Sequence, residues 1–150
     1  MSFGDIDNKQ LKRLQEELEA FENTKRDEMM RGALDEMCKL GLATLKEHTP
    51  VDETGRLRDS WKVDDEVKIS NSGKTYWRTA RNETHYASWV DKGHKQQVGR
   101  YVPKIKARLK RPFVPGSHFV MKAELDMNRK KPVVLDKFIE RKLMEVLDGK

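Results

Sequence analysis

The side chains that most often carry catalysis or bind metals are few in this sequence and lie far apart. No two histidines have the i, i+4 spacing that brings two ligands to one face of a helix. Cys38 is the sole cysteine, so neither an internal disulfide nor a thiolate cluster within one chain is expected. We interpret Cys38 as a small helical core residue and predict no metal site. The histidines are His48, His85, His94 and His118.

Acidic clusters and glycines give no better basis for an enzyme. Asp52 and Glu53 neighbour Arg56, and residues 64–66 form a second acidic cluster. Both clusters are typical of solvated or locally paired groups rather than of a buried acid–base pair. The glycines are isolated turn residues and form no phosphate-binding loop. We therefore predict no catalytic residue, no cofactor and no enzymatic activity.

The net charge of +6 is concentrated in one segment. Residues 92–123 hold nine lysines and arginines and no acid, so the rest of the chain is net acidic. A basic stretch with Tyr101 and Phe113 nearby suits a phosphate backbone, and it equally suits a solvated strand face or an acidic protein neighbour. The sequence shows no recognition-helix signature and no paired base-stacking motif, which counts against nucleic-acid binding. A nucleic-acid-binding module that uses residues 92–122 therefore stays an alternative.

The composition predicts a thin core. Apolar residues make up 36% of the 150-residue chain and charged residues 37%, so little apolar surface is buried unless other subunits complete the core. We expect an oligomer whose subunit folds as a single domain over residues 1–150. No run approaches a membrane span and the first residues lack a signal-sequence pattern, so we expect synthesis in the cytosol.

Amphipathic helices are predicted at both ends of the chain. Asp7 would cap the first, with Ile6 packing behind it, and apolar stripes follow at residues 11–21 and 30–45. The break near residues 23–24 separates two helices, although one kinked helix is an alternative. At the C-terminus, a helix capped by Ser117 would run to about Asn128, and Pro132 would start a last helix with the firmest apolar stripe.

The middle of the chain is predicted to form strands and one short helix. "SWKVDDEVKIS" (60–70) and "KTYWRTARN" (74–82) indicate an antiparallel hairpin. "THYASWVDKG" (84–93) indicates a short helix ended by Gly93. From Pro103 onward apolar and basic residues alternate, which favours a strand or a long hairpin arm. The predicted class is α+β: N-terminal helices, a small antiparallel sheet with a long extended arm, and C-terminal helices.

The segment "HTPVDETGRLRDSW", residues 48–61, joins the first helices to the hairpin. Its proline and glycine favour a tight turn, and Asp52 can accept hydrogen bonds from nearby amides. Arg56 and Arg58 offer paired donors for carboxylates, and Trp61 offers a large amphipathic anchor. We call this segment the elbow.

Three motifs, in this order, resemble the small tail-component or tail-completion proteins of tailed bacteriophages, which include head–tail joining proteins. "TPVDETGRLRDSW" (49–61) is similar to the family's TPVDTGxLRxS loop. "HYASWVDKG" (85–93) is similar to its YAxxVExG helix, with Asp91 in place of Glu, and "RPFVPGS" (111–117) is similar to its RPFLxPA segment.

The resemblance implies a virion structural protein that forms a ring, commonly of six copies, at the head-proximal end of the tail. Such a ring completes the tail and joins it to the neck or connector, beside tail-tube or tail-terminator proteins. Genomic DNA would pass close by, and no membrane is involved. We expect the arm, residues 99–111, to be the chief assembly surface. The expected site residues are Asp52, Arg56, Arg58 and Trp61 in the elbow; Tyr86, Trp89 and Val90 packing the short helix on the sheet; and Arg100, Lys104, Lys106, Arg108, Lys110, Arg111 and Phe113 in the arm.

Overall fold

The computed structural model describes residues 8–149 and contains two long helices, two short helices and two β-hairpins. The predicted α+β class is confirmed. The helices are α1 (Asn8–His48), α2 (Arg56–Asp59), α3 (Ala87–Lys92) and α4 (Phe119–Leu147).

The first hairpin follows the elbow, as predicted, but it is interrupted in the middle. Its inner pair joins β1 to β4 antiparallel and its outer pair joins β2 to β3. Between the two pairs, residues 64–67 lie opposite residues 78–79 only, so two extra residues bulge out of one strand. The strands are β1 (Trp61–Val63), β2 (Lys68–Ile69), β3 (Tyr76–Trp77) and β4 (Ala80–Asn82).

The second hairpin carries the arm. Antiparallel pairing joins β5 to β8 at its base and β6 to β7 near its tip. A 3₁₀ turn at Pro103–Ile105 and a left-handed Lys106, with φ of 51°, reverse the chain. Of the two forms expected for the segment from Pro103 onward, a strand or a long hairpin arm, the hairpin is the one observed, and the chain turns back where the alternation begins. The strands are β5 (Gly93–Lys95), β6 (Tyr101–Val102), β7 (Ala107–Arg108) and β8 (Phe113–Pro115).

Each end of the chain forms one long helix where two were predicted. The kinked-helix alternative is closer for α1, which continues through Thr24. The Thr24 hydroxyl donates to the Ala20 carbonyl at 2.9 Å, one turn back, while the backbone stays helical. α4 continues through Pro132. Proline removes one backbone hydrogen bond, but contacts with α1 on both sides of it hold the helix together. The predicted cap at Asp7 and its neighbour Ile6 lie outside the described residues.

The two long helices pack antiparallel and enclose a small core. Phe138 of α4 lies against Gly32 of α1, and the Lys130 ammonium of α4 lies 3.3 Å from a Glu47 carboxylate oxygen near the other end of α1. Within residues 12–149, fully buried apolar side chains are few, in agreement with the thin core expected from the composition. They are Leu57, Phe119, Ala123 and Phe138.

Candidate functional site

Asp52 fixes the turn at the start of the elbow. Its Oδ1 accepts hydrogen bonds from the Thr54 backbone N–H at 3.0 Å, the Thr54 hydroxyl at 2.7 Å and the Gly55 N–H at 2.8 Å. The Thr54 hydroxyl lowers the pKa of Asp52, and the two N–H donors act in the same direction. Gly55 is buried with φ of 63°, a conformation that suits glycine. The elbow is therefore a closed turn before α2.

Trp61 ties the elbow to both long helices. Its indole N–H donates to the Thr49 hydroxyl at 2.8 Å, and that hydroxyl donates to the Leu45 carbonyl at the end of α1. Its ring meets Phe119 of α4 edge to face, with centroids 6.3 Å apart. Because the polar tip and the ring face each have a partner, Trp61 positions the elbow rather than offering a free surface.

The two elbow arginines face solvent. The Arg58 guanidinium pairs with the adjacent Asp59 carboxylate at 2.8 Å. Arg56 is exposed and takes part in no ion pair with the residues that the structure describes. The elbow is held by Trp61, by the buried Leu57 and by a hydrogen bond of 2.7 Å from the Asn82 amide to the Leu57 carbonyl. The arginine side chains are therefore directed outward, where a partner could reach them.

The short helix α3 carries a surface aromatic cluster. Tyr86 and Val90, one turn apart, are half-buried, whereas Trp89 is 56% exposed. Its ring lies between those of His85 and His94, at centroid distances of 6.5 and 5.8 Å. Trp89 therefore lies beside His94 of β5 but keeps more than half of its surface exposed.

The base of the second hairpin requires two glycines. Gly93 has φ of 83° and ψ of 174°, a region almost restricted to glycine. A Cβ atom on Gly93 would lie 2.8 Å from the Gly116 nitrogen and would overlap the Val114 carbonyl; one on Gly116 would overlap the Asp91 carbonyl. The backbone segments at Gly93 and Gly116 therefore cross where the hairpin leaves the body and returns to it.

Asp91 links this crossing to α4. Its carboxylate accepts a hydrogen bond from the Val120 N–H at 3.0 Å, and its carbonyl accepts one from the His118 N–H at 2.9 Å. Asp91 therefore caps α4 from 29 residues away. The predicted cap, Ser117, instead donates to the Val90 carbonyl at 3.1 Å.

The arm projects its cations away from the body. All of the predicted arm residues are exposed, and the hairpin extends about ten residues beyond its base, or roughly 30 Å at the rise of a β-strand. Phe113 pairs with Lys95 in the β5–β8 ladder and its ring covers Gly93. None of the nine cations between residues 92 and 122 appears in an ion pair within residues 8–149, whereas many of the other lysines and arginines do.

One group of potential metal ligands comes together in the described part of the chain. Carboxylate or imidazole atoms of Glu47, His48 and Asp126 lie within 4.8 Å of one another. The Lys130 ammonium, however, lies 2.7 Å from Asp126 and 3.3 Å from Glu47. Lys130 and then His48 lower the pKa of Asp126. An ion-pair cluster that joins α1 to α4 explains these contacts without a metal ion.

An open apolar groove of about 360 Å³ lies between α1, the first hairpin and α4. Cys38 lines it beside leucine and methionine side chains, and Arg78 and Glu124 are its charged residues. The groove holds no nucleophile paired with a base and no pair of carboxylates. Its lining suits apolar contact.

Sequence reasoning missed the residues that depend on distant partners. Asp91 and Gly116 had no local signal for their roles, because the groups that they meet lie elsewhere in the chain. The hydrogen bond from Trp61 to Thr49 likewise had no local signal, because it joins residues on different elements.

Comparison with known proteins identifies one family. Residues 12–93 match the family described as "Bacteriophage HK97-gp10, putative tail-component". The match includes most of α1, the elbow, the first hairpin and α3. No curated protein and no solved structure matches the chain. Within residues 8–149, no helix is long and apolar enough to cross a membrane.

Proposed function

The chain belongs to the HK97-gp10-like family of bacteriophage tail components, and from that premise we propose that it forms a ring at the head-proximal end of the tail. In this proposal a single domain over residues 1–150, made in the host cytoplasm, assembles as about six copies in the neck region of the virion. The ring completes the tail and joins it to the connector, beside tail-tube or tail-terminator proteins. It is a structural part and has no catalytic role.

The observation that carries the proposal is the arm. It reaches roughly 30 Å from the body, and its cations have no ion-pair partner in the described chain. Cations that are paired within one subunit contribute little to a contact with another, whereas cations that have no ion-pair partner on a projecting hairpin can steer and orient an acidic partner. The arm therefore suits a contact with acidic surface on a neighbouring ring.

Reversing the charges of the arm tests the proposal. Changing Lys104, Lys106, Arg108 and Lys110 to Glu should leave folded protein that no longer joins tails to heads, because the arm would repel the acidic partner. The measurement is the yield of infectious particles when the variant is supplied to a phage that lacks its own copy.

A matched control separates the effect of where the reversed charges lie from the effect of the change in net charge. Reversing Lys68 and Lys74, two exposed lysines of the first hairpin, should leave joining near wild type, while reversing Lys104 and Lys106 alone should reduce it. Equal effects of the two double variants would contradict the proposed role of the arm. So would normal joining by the quadruple variant.

The same free cations favour a second candidate, a nucleic-acid-binding module. Four phosphate contacts would give a slope of about −4 for the logarithm of the association constant against the logarithm of salt concentration. Tight binding to duplex DNA with such a slope, abolished by the quadruple reversal, would favour this candidate. Weak DNA binding, together with a loss of tail–head joining in the quadruple variant, would favour the joining function.

A further inference from the structure

The aromatic cluster of α3 forms one wall of an open hollow at the base of the arm. The hollow has a volume of about 640 Å³, which falls within the range of roughly 300–1,000 Å³ that is typical of small-ligand sites. We call it the basic hollow. The aromatic and polar residues that line it are Trp89, His94, Lys95, Gln96, Gln97 and Arg100.

Trp89 offers a flat aromatic surface to the basic hollow. Its side chain is 56% exposed, and the His94 ring lies beside it, with centroids 5.8 Å apart and ring planes inclined by 37°. A planar, electron-rich ring of this kind stacks on other flat rings, and every nucleobase has such a face. Trp89 therefore suits a ligand that carries a flat aromatic group.

The same hollow is positively charged. Lys95 and Arg100 line it, and no acidic residue of the described chain does. Neither cation appears in an ion pair within residues 8–149. Positive charge that has no nearby acid to compensate it attracts anions. The ligand that fits the hollow is therefore negatively charged as well as aromatic.

Backbone hydrogen bonds hold the segment that carries these groups. The Gln96 N–H donates to the Pro112 carbonyl at 2.9 Å. The Arg100 N–H donates to the Gln97 carbonyl at 3.3 Å, and the Arg100 carbonyl accepts a hydrogen bond from the Leu109 N–H at 2.9 Å. A wall that is already ordered reduces the entropy lost on binding. The two glutamine side chains add amide donors and acceptors, which are the groups that recognise the edges of bases.

We propose that the basic hollow binds an unpaired nucleotide of a nucleic-acid single strand. The base stacks on the Trp89 indole, and a phosphate lies beside Lys95 and Arg100. Proteins that bind single strands combine stacking aromatic side chains with cations along the backbone in this way. A duplex does not fit, because its bases are stacked on each other and expose only their edges.

This site is separate from the surface that the proposed joining function uses. The joining test reverses cations at positions 104–110, none of which is Lys95 or Arg100. The duplex-binding candidate needs phosphate contacts alone, whereas the basic hollow needs Trp89. Variants of Trp89 therefore test the basic hollow, and the quadruple arm variant tests joining, so that either idea can fail without the other.

Binding of a short fluorescent oligothymidylate, followed by anisotropy at low salt, tests the site. Trp89→Ala should weaken binding roughly 5- to 100-fold, the range that one stacked base contributes, and should leave the salt slope unchanged. Trp89→Phe keeps a stacking face and should lose less. Changing Lys95 and Arg100 to Gln should weaken binding and reduce the slope by about 0.7 for each phosphate contact that is lost.

Matched controls lie on the first hairpin. Trp77 is 41% exposed, so Trp77→Phe alters another accessible tryptophan, and changing Lys68 and Lys74 to Gln removes the same charge as the Lys95 and Arg100 variant. Both controls should bind like wild type. Stacking should quench tryptophan emission in wild type and in Trp77→Phe, but much less in Trp89→Phe. Circular dichroism would verify that every variant is folded.

Four outcomes would overturn the proposal. They are no binding of the single strand, binding that Trp89→Ala leaves unchanged, equal binding of a duplex of the same length, and equally effective displacement by an oligoglutamate peptide. The last would assign the hollow to an acidic protein. Oligouridylate identifies the source of the strand: tighter binding than oligothymidylate indicates RNA and weaker binding indicates DNA, and either supports the proposal if it depends on Trp89.

Discussion

Replacing Gly93 with alanine should damage the base of the second hairpin, and much more than the same change at Gly99 in the arm. Gly93 has φ of 83° and ψ of 174°, where a residue with a Cβ is strained by about 1–3 kcal/mol. The new methyl group would also lie 2.7 Å from the Phe113 ring and 2.8 Å from the Gly116 nitrogen. The strands β5 and β8 would have to separate.

The magnitude follows from these two effects. Separating the strands loses one or two ladder hydrogen bonds, at about 1 kcal/mol each, so the strain and the opening together cost about 2–5 kcal/mol. For a chain of this size that is a fall in melting temperature of roughly 10 °C. The loss of stability should also affect α4, because Asp91, two residues before Gly93, caps that helix.

Gly99→Ala is the matched control. Gly99 has φ of 85°, but a Cβ there meets nothing within 4 Å, so only the backbone strain of about 1–2 kcal/mol remains. Thermal unfolding followed by circular dichroism measures both variants, and amide hydrogen exchange should show faster opening of β5 and β8 in Gly93→Ala alone. If the two variants lose the same stability, the backbone crossing does not constrain the fold as we argue.

Two further predictions concern α4. Asp91→Ala should lower the free energy of unfolding by about 1 kcal/mol through loss of the cap, while Asp91→Asn, which keeps an acceptor oxygen, should lose less; equal losses in chemical denaturation would contradict the capping role. The pKa of Asp126 is lowered by Lys130 and then by His48, so its contribution to stability is present above the ordinary value of 3.8 and is lost as the pH falls through the lowered pKa. Asp126→Asn should therefore flatten the acid side of the stability profile, and an unchanged profile would contradict this cause.

Local sequence patterns were sufficient to predict the structure where the contacts that stabilise it join residues close in sequence. The first hairpin follows from alternating strands around a polar turn, and α3 follows from one turn of apolar spacing before Gly93. The elbow turn follows from the acceptor chemistry of Asp52 beside Gly55. Patterns failed at Pro132, and in the arm they did not decide between a strand and a hairpin. A proline usually starts or breaks a helix, but packing on α1 carries α4 through it, and a regular alternation at 103–110 did not reveal the turn inside it.

The sequence by itself determined the α+β class, the thin core and the excess of cations between residues 92 and 122, because composition and short-range periodicity set these properties. Only the tertiary structure decided which atoms meet: Asp91 on α4, Gly93 against Gly116, and Trp61 between two helices. These contacts join residues that are far apart in the chain, where no local spacing constrains them.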